Sequence, residues 1–372
     1  MRTNATGRRT GVLFLALALA GGTPHAAPPG DGGAIEEPRY IPAGVIDAAG
    51  TVVCVRTPDE GVEVIDAAKG RSLWRVPAPA RALMLARDRA FVLEQRAGMR
   101  LRLAVYAART GRLLKEYDLQ RLDLPQWASV AEGTMGRESR RLMVAARLTA
   151  ETLELRYDAT LTRISGFQGA VVADRAEGGV RVDLESGRVD RRPGPAAPEP
   201  PLFEAAPPLP GARFIQVHAR ALDAMLVFGG PPPGDSGALV VGDRRVAFEF
   251  GPDTTTLIVH RWTSPAGGRD EPLRLEHGQA TDAVWVTLDR RHALLRRAYD
   301  QSRYDLFSLE TGGALGRLDR PADVAVYAGR VFWTTLEAKG RLVLHAGDAA
   351  TGRSRWQRIV RPPEGPPGPP IP

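Results

Sequence analysis

Short apolar runs, rich in β-branched residues, alternate with polar turns along most of this chain. Thr51 to Val55 is followed by Pro58-Asp59-Glu60-Gly61 and then by Val62 to Ile65. The same grammar recurs at Ala90 to Leu93 and Leu101 to Tyr106, at Val171-Val172 and Val180 to Leu184, and at Val331 to Thr334 and Leu342 to Leu344. Brief runs of this kind, bounded by turn formers, read as β-strands. No stretch sustains an apolar 3.6-residue period with helix caps. Glu138 to Asp158 comes nearest, being rich in helix formers, but a strand pair broken near Thr149 better fits a repeat phase of about 40 residues.

One turn repeats. Asp66-Ala67-Ala68-Lys69-Gly70-Arg71-Ser72-Leu73-Trp74 returns as Asp348-Ala349-Ala350-Thr351-Gly352-Arg353-Ser354-Arg355-Trp356, with seven of nine positions identical. Weaker copies end at Gly111, Gly187 and Gly312. The five glycines are separated by 41, 76, 125 and 40 residues, close to one, two, three and one units of about 40. That unit is the length of a four-stranded propeller blade. The expected fold is therefore all-β, a β-propeller of about eight four-stranded blades, with seven as the other count. Degenerate copies are expected near Leu148 to Thr152, Gly229-Gly230 and Gly267-Gly268.

The turn has a mechanical reading. Asp or Ser at its start can accept hydrogen bonds from the turn backbone, and Gly adopts positive φ without strain. Trp74 and Trp356 follow four residues after their glycines, placed to cover a neighbouring blade.

Composition changes the picture at the ends and little elsewhere. Arg2, Arg8 and Arg9 precede the apolar run Gly11 to Gly22, and small residues follow at Ala18-Leu19-Ala20 and Ala26-Ala27. This pattern predicts a cleaved secretory signal over residues 1–27, since the run is too short to span a bilayer. Its loss lowers the net charge from +7 to about +4, because three arginines and no acids go with it. A lipid anchor would need a cysteine at the cleavage point, and the single cysteine is Cys54. Cys54 lies in an apolar run and reads as a small buried hydrophobe. The propeller is expected over residues 38–361. Residues 193–211 form a proline-rich insert, read as an inter-blade loop because proline cannot donate to a central strand. Residues 362–372 read as a disordered polyproline-type tail.

The motif Asp-Ala-x-Thr-Gly-x-x-x-Trp resembles the repeat of the pyrroloquinoline-quinone-like (PQQ-like) propeller superfamily, over most of residues 44–360. The superfamily includes quinone-dependent alcohol dehydrogenases and non-enzymatic envelope proteins, among them the propeller lipoprotein of the outer-membrane protein assembly machine. The resemblance implies the fold more strongly than a function. The quinone enzymes carry an adjacent-cysteine ring and a calcium site that uses an asparagine. This chain has one cysteine, and its only asparagine is Asn4 in the leader. No cofactor is expected.

Other chemistries find little support. Gly234-Asp235-Ser236-Gly237 resembles a serine-protease nucleophile segment, but that mechanism needs a histidine far upstream, and His25 and His218 do not serve. The histidines at 25, 218, 260, 277, 292 and 345 show no metal-ligand spacing. Asp300 to Asp305 is too short and too basic for a calcium loop. Asp59-Glu60 and Asp270-Glu271 sit at predicted turns and read as solvated. No catalytic, cofactor-binding or metal-binding residue is therefore assigned. No basic cluster with interleaved aromatics marks a nucleic-acid site, so no nucleic-acid partner is expected. The favoured expectation is a periplasmic or secreted scaffold that binds an envelope protein, with weak contact to anionic glycan or lipid as a further role. The alternative is a carbohydrate hydrolase or lyase whose groups converge around the central channel. The residues on the strands nearest that channel discriminate the two.

Overall fold

In the computed structural model, residues 35–362 are described except 78, 98–99, 121–123, 126–127, 131–132, 136–137, 166–168, 194–202, 206–216, 220–236, 242–243, 251–255, 264–270, 277, 279–280 and 298–299. The signal segment, most of the insert, nearly all of the tail and the Gly229-Gly230 and Gly267-Gly268 copies lie outside the described residues.

The described residues form six sheets. After β1 (Ile35–Glu36), blade 1 comprises β2 (Arg39–Ile41), β3 (Gly44–Ile46), β4 (Val52–Arg56), β5 (Val62–Asp66) and β6 (Ser72–Val76). Blade 2 follows as β7 (Ala80–Ala86), β8 (Arg89–Arg96), β9 (Arg100–Ala107) and β10 (Leu113–Gln120). Blade 3 is β11 (Gly133–Met135), β12 (Glu138–Thr149), β13 (Thr152–Ser165), β14 (Gly169–Asp183) and β15 (Val189–Pro193), with β1 added beside β12. The next strands in the chain are β16 (Phe203–Ala205) and β17 (Val217–Ala219). Blade 4 joins β16 to β18 (Gly237–Val241), β19 (Arg244–Phe250), β20 (Thr256–Thr263) and β21 (Leu273–Glu276). In blade 5, β17 pairs in parallel with β22 (Thr281–Val286), ahead of β23 (His292–Arg297), β24 (Asp300–Ser308) and β25 (Ala314–Asp319). Blade 6 is β26 (Pro321–Tyr327), β27 (Arg330–Leu336), β28 (Leu342–Asp348) and β29 (Ser354–Arg361).

The fold is all-β, as the pattern predicts, and the described residues form six sheets, where the spacing anticipates about eight blades over the whole chain. The 76 residues between Gly111 and Gly187 build one blade with strands of 12, 14 and 15 residues, not two ordinary blades. Interval length counts chain, and long strands absorb chain without adding blades. The break expected near Thr149 is real, since β12 ends there and β13 begins at Thr152. That hairpin joins the first two long strands of blade 3, however, and is not a copy of the repeated turn. All five clear copies instead join the third and fourth strands of a blade's four-stranded meander. Gly267-Gly268 falls in the matching chain interval, between β20 and β21.

Continuous apolar runs arise because both faces of a blade are covered. Successive side chains point to opposite faces of a strand. In blade 1, Val45, Cys54 and Val64 pack with Ala82, Leu85 and Val92 of blade 2. The alternate residues Ile46, Val53 and Ile65 pack with Phe332, Leu344 and Ala346 of blade 6. Equivalent cores join blades 2 and 3 through Phe91, Leu103, Leu142 and Leu155, blades 4 and 5 through Phe248 and Leu295, and blades 5 and 6 through Leu306 and Val331. The last blade thus packs on the first. Burying each such Leu or Phe side chain stabilises the fold by about 2 kcal/mol.

A strap of chain reinforces the start of the ring. Ile35 and Glu36 pair with Thr149 and Leu148 of blade 3, and two residues later β2 pairs with β3 of blade 1. Glu36 binds Arg87 at 2.5 Å and Glu37 binds Arg147 at 2.9 Å. Among the described residues, no helix is long and apolar enough to cross a membrane.

Candidate functional site

The repeated turn is built as its residues predict. Asp66 Oδ1 accepts from the N–H groups of Ala68 and Lys69, at 2.9 and 3.0 Å. Asp348 and Asp183 bind their own turns in the same way, and Ser308 does so with its hydroxyl. Gly70, Gly111, Gly187, Gly312 and Gly352 all have φ between 66° and 78°.

Each turn also receives the preceding blade. Trp356 of blade 6 donates from Nε1 to the carbonyl of Ala67 at 3.0 Å, and Trp74 of blade 1 donates to Ala108 at 2.8 Å. At the next joint Tyr117 Oη donates to Leu184 at 2.7 Å. The acceptor stands three residues before the turn glycine every time. Between blades 5 and 6 no aromatic intervenes: Gly316 and Arg317 bring backbone directly against Gly352.

Titratable groups are consumed by this architecture. Glu94 is buried and accepts from Tyr106 Oη and Arg102 Nη2, both at 2.5 Å. Burial pushes the Tyr106 phenol up to about 12, so it stays a neutral donor, and its ring packs 5.1 Å from that of Trp74. Asp305 bridges Arg297 at 2.8 Å and Arg317 at 2.9 Å. Its carboxyl stays below the usual range because those two guanidinium groups outweigh its partial burial.

The residues weighed for chemistry do not converge. Cys54 is buried, and burial pushes its thiol far up, away from reactivity. His260 meets Glu249 at 2.7 Å within blade 4. His292 meets Asp289 at 3.0 Å, and Asp289 also accepts from the Val326 N–H, tying blade 5 to blade 6. His345 stacks on Trp333 at 5.0 Å, and burial lowers its pKa, keeping it neutral at pH 7. Glu60 pairs with Arg56 at 3.1 Å. Among the described residues, no three His, Cys, Asp or Glu side chains could hold a metal ion together. His25, His277, Asp270 and residues 234–236 lie outside the described residues. His218 is on β17, and Gly237 opens β18.

Across blades, β7 contacts β3, β4, β5 and β12, and β2 contacts β26. Within these strands Gly44-Val45-Ile46, Leu83 to Ala86 and Val324-Ala325-Val326 are apolar, while β12 carries Glu138, Arg140, Arg141 and Arg147. A cavity of about 30 Å³ lies between blades 1 and 2, lined in part by Gly44, Arg56, Arg81 and Val130. It has room for about two waters, not for a sugar.

The most elaborated surface belongs to blade 3. Among the described residues, β15 pairs with β14 at residues 178–182, while residues 169–177 of β14 pair with β13. Val171 and Val172 are 45% and 58% exposed there. The alternation pattern marked both as strand residues.

The comparisons agree with the repeat. A family model described as outer membrane protein assembly factor BamB matches residues 41–192. No curated protein matches the chain. Among solved structures, BamB from Moraxella catarrhalis is 10% identical, with 80% of this chain and 82% of that one covered at a TM-score of 0.27. A eukaryotic initiation factor is 9% identical, with 90% and 91% covered at 0.33. The dihydro-heme d1 dehydrogenase NirN is 11% identical, with 89% and 76% covered at 0.33. Superpositions this loose carry no functional argument.

Proposed function

We propose that the chain, a β-propeller whose repeat resembles the PQQ-like kind, serves as an exported, non-catalytic, protein-binding scaffold in a bacterial envelope. One observation carries the reading. Apolar segments dominate the first strands of blades 1, 2 and 6, and many charged groups of the described residues are spent on turns and on ion pairs within blades. A carbohydrate hydrolase needs two carboxylates facing one another across a water-sized or smaller gap. Function is then left to loops and edges, where propellers commonly carry it. The leader pattern at residues 1–27 supports export. The extended blade 3 and the proline-rich insert at 193–211 supply contact surface.

The test is photo-crosslinking in cells from a reactive side chain placed at Val171 or Val172, with fractionation of the envelope. The expected result is mature protein in the envelope fraction and crosslinks to one or a few envelope proteins. Glycan cleavage by the purified protein, with no crosslinked partner, would overturn the proposal.

A further inference from the structure

The joint between blades 6 and 1 differs in charge from the other joints. Residues 69–75 and 353–361 hold seven cations and no acid: Lys69, Arg71, Arg75, Arg353, Arg355, Arg358 and Arg361. The matching outer stretch of blade 2, residues 111–120, holds two cations and two acids. That of blade 5, residues 312–320, holds two cations and one acid.

The fold makes the two basic stretches one surface. Trp356 docks on the turn at Ala67. Beside it Arg358 donates to the Gly70 carbonyl, lies 6.0 Å over the Trp356 ring and sits 3.5 Å from Glu63. Glu63 in turn faces Arg75 across the β5–β6 ladder. Lys69, Arg71, Arg75, Arg353 and Arg355 are exposed around this seam. Asp59 lies within the field of Arg75, and the other nearby acids are engaged. Asp66 and Asp348 bind their own turns, Asp348 also meets Arg355 at 3.5 Å, and Glu63 is buried beneath Arg358. The outward field is positive.

We infer that this seam is a docking surface for an acidic segment of a protein partner. Six of its seven cations are arginines, whose planar guanidinium groups match carboxylates in a bidentate fork. A membrane surface fits less well. Interfacial binding couples charge to inserted apolar anchors, and here Trp74 and Trp356 are both held in inter-blade sockets. The inference deepens the scaffold reading and rests on it.

The test uses the full mature chain and a short fluorescein-labelled oligoglutamate, read by anisotropy from about 0.02 M to about 0.2 M salt. One variant carries Arg71→Glu, Arg75→Glu and Arg355→Glu. A charge-matched control carries Arg112→Glu, Arg163→Glu and Arg188→Glu on other blades. The seam variant is expected to weaken binding by about tenfold or more and the control by less than about twofold, with wild-type affinity falling as salt rises. Should charge reversal unfold the chain, the milder Arg71→Gln, Arg355→Gln pair is expected to weaken binding about threefold. Equal losses in seam and control variants would overturn the proposal, as would capture by phosphatidylglycerol vesicles without oligoglutamate binding. Failure here with envelope crosslinks intact would sink the seam alone. Loss of both would sink the scaffold reading.

Discussion

The joints flanking blade 1 and the joint between blades 2 and 3 meet one requirement by different means. In each, a side chain of the preceding blade reaches the carbonyl three residues before a left-handed glycine. At Gly70 and Gly111 a tryptophan ring lies so close that an added Cβ would sit 2.5 and 2.6 Å from its atoms. At Gly187 the nearest atom to such a Cβ is a Tyr117 ring carbon at 3.9 Å. Positive φ is common to these turns, whereas the tight ring-on-glycine fit belongs only to the tryptophan joints. The turn conformation is thus the constant of this repeat, and the aromatic cover is one of several solutions.

Alanine at these glycines separates the two contributions. Gly70→Ala and Gly111→Ala add backbone strain and a collision with a ring, and should each cost about 4 kcal/mol. Gly187→Ala adds strain alone and should cost about 1 kcal/mol. Urea unfolding curves check the difference, and equal losses at the three sites would refute the distinction. Removing the covering ring comes next. Trp356→Ala and Trp74→Ala leave a void and an unsatisfied carbonyl, with an expected loss of about 3 kcal/mol each. Trp356 acts at the joint between the last blade and the first, so its loss should also broaden the unfolding transition as blades 6 and 1 separate. Tyr117→Phe keeps the ring and removes only the hydroxyl bond to Leu184. It should cost about 1 kcal/mol by the same measurement.

The contrast also explains what could be read from residues alone. Asp, Gly and Trp at fixed offsets carry the turn, so the blades at the two ends of the chain were legible. The strand pair around Thr149 was read from the repeat phase, which located the break although the hairpin there is not a copy of the repeated turn. The blade count was not, because β13 and β14 lengthen without any residue that marks where an ordinary blade would stop. Tyr117 was missed as the partner of Leu184 because it stands six residues after Gly111, where the tryptophans stand four after theirs. The basic seam was hidden for a different reason. Its two halves lie nearly 300 residues apart, and each taken singly reads as an ordinary solvated strand.

The smallest expected effect concerns the acids that open the turns. Backbone N–H groups of Lys69 and Ala68 hold the Asp66 carboxyl below its usual range, and those of Ser186 and Glu185 do the same for Asp183. A carboxyl whose folded pKa is depressed adds stability above its unfolded value, near 4, and loses that contribution as pH falls through the folded value. The stabilisation should therefore be constant from neutral pH to about pH 5 and decline below about pH 4. Asp66→Asn keeps a turn-binding oxygen but removes the charge, so its stability should run below that of the parent at pH 7 and converge with it in acid. Both side chains are solvent-exposed, which keeps the gap small. Parallel thermal melts of parent and variant across this pH range would show the convergence. A gap that persists at pH 2.5 would mean that the asparagine disturbs the turn geometry, and that carboxylate charge is not what Asp66 contributes to the joint beneath Trp356.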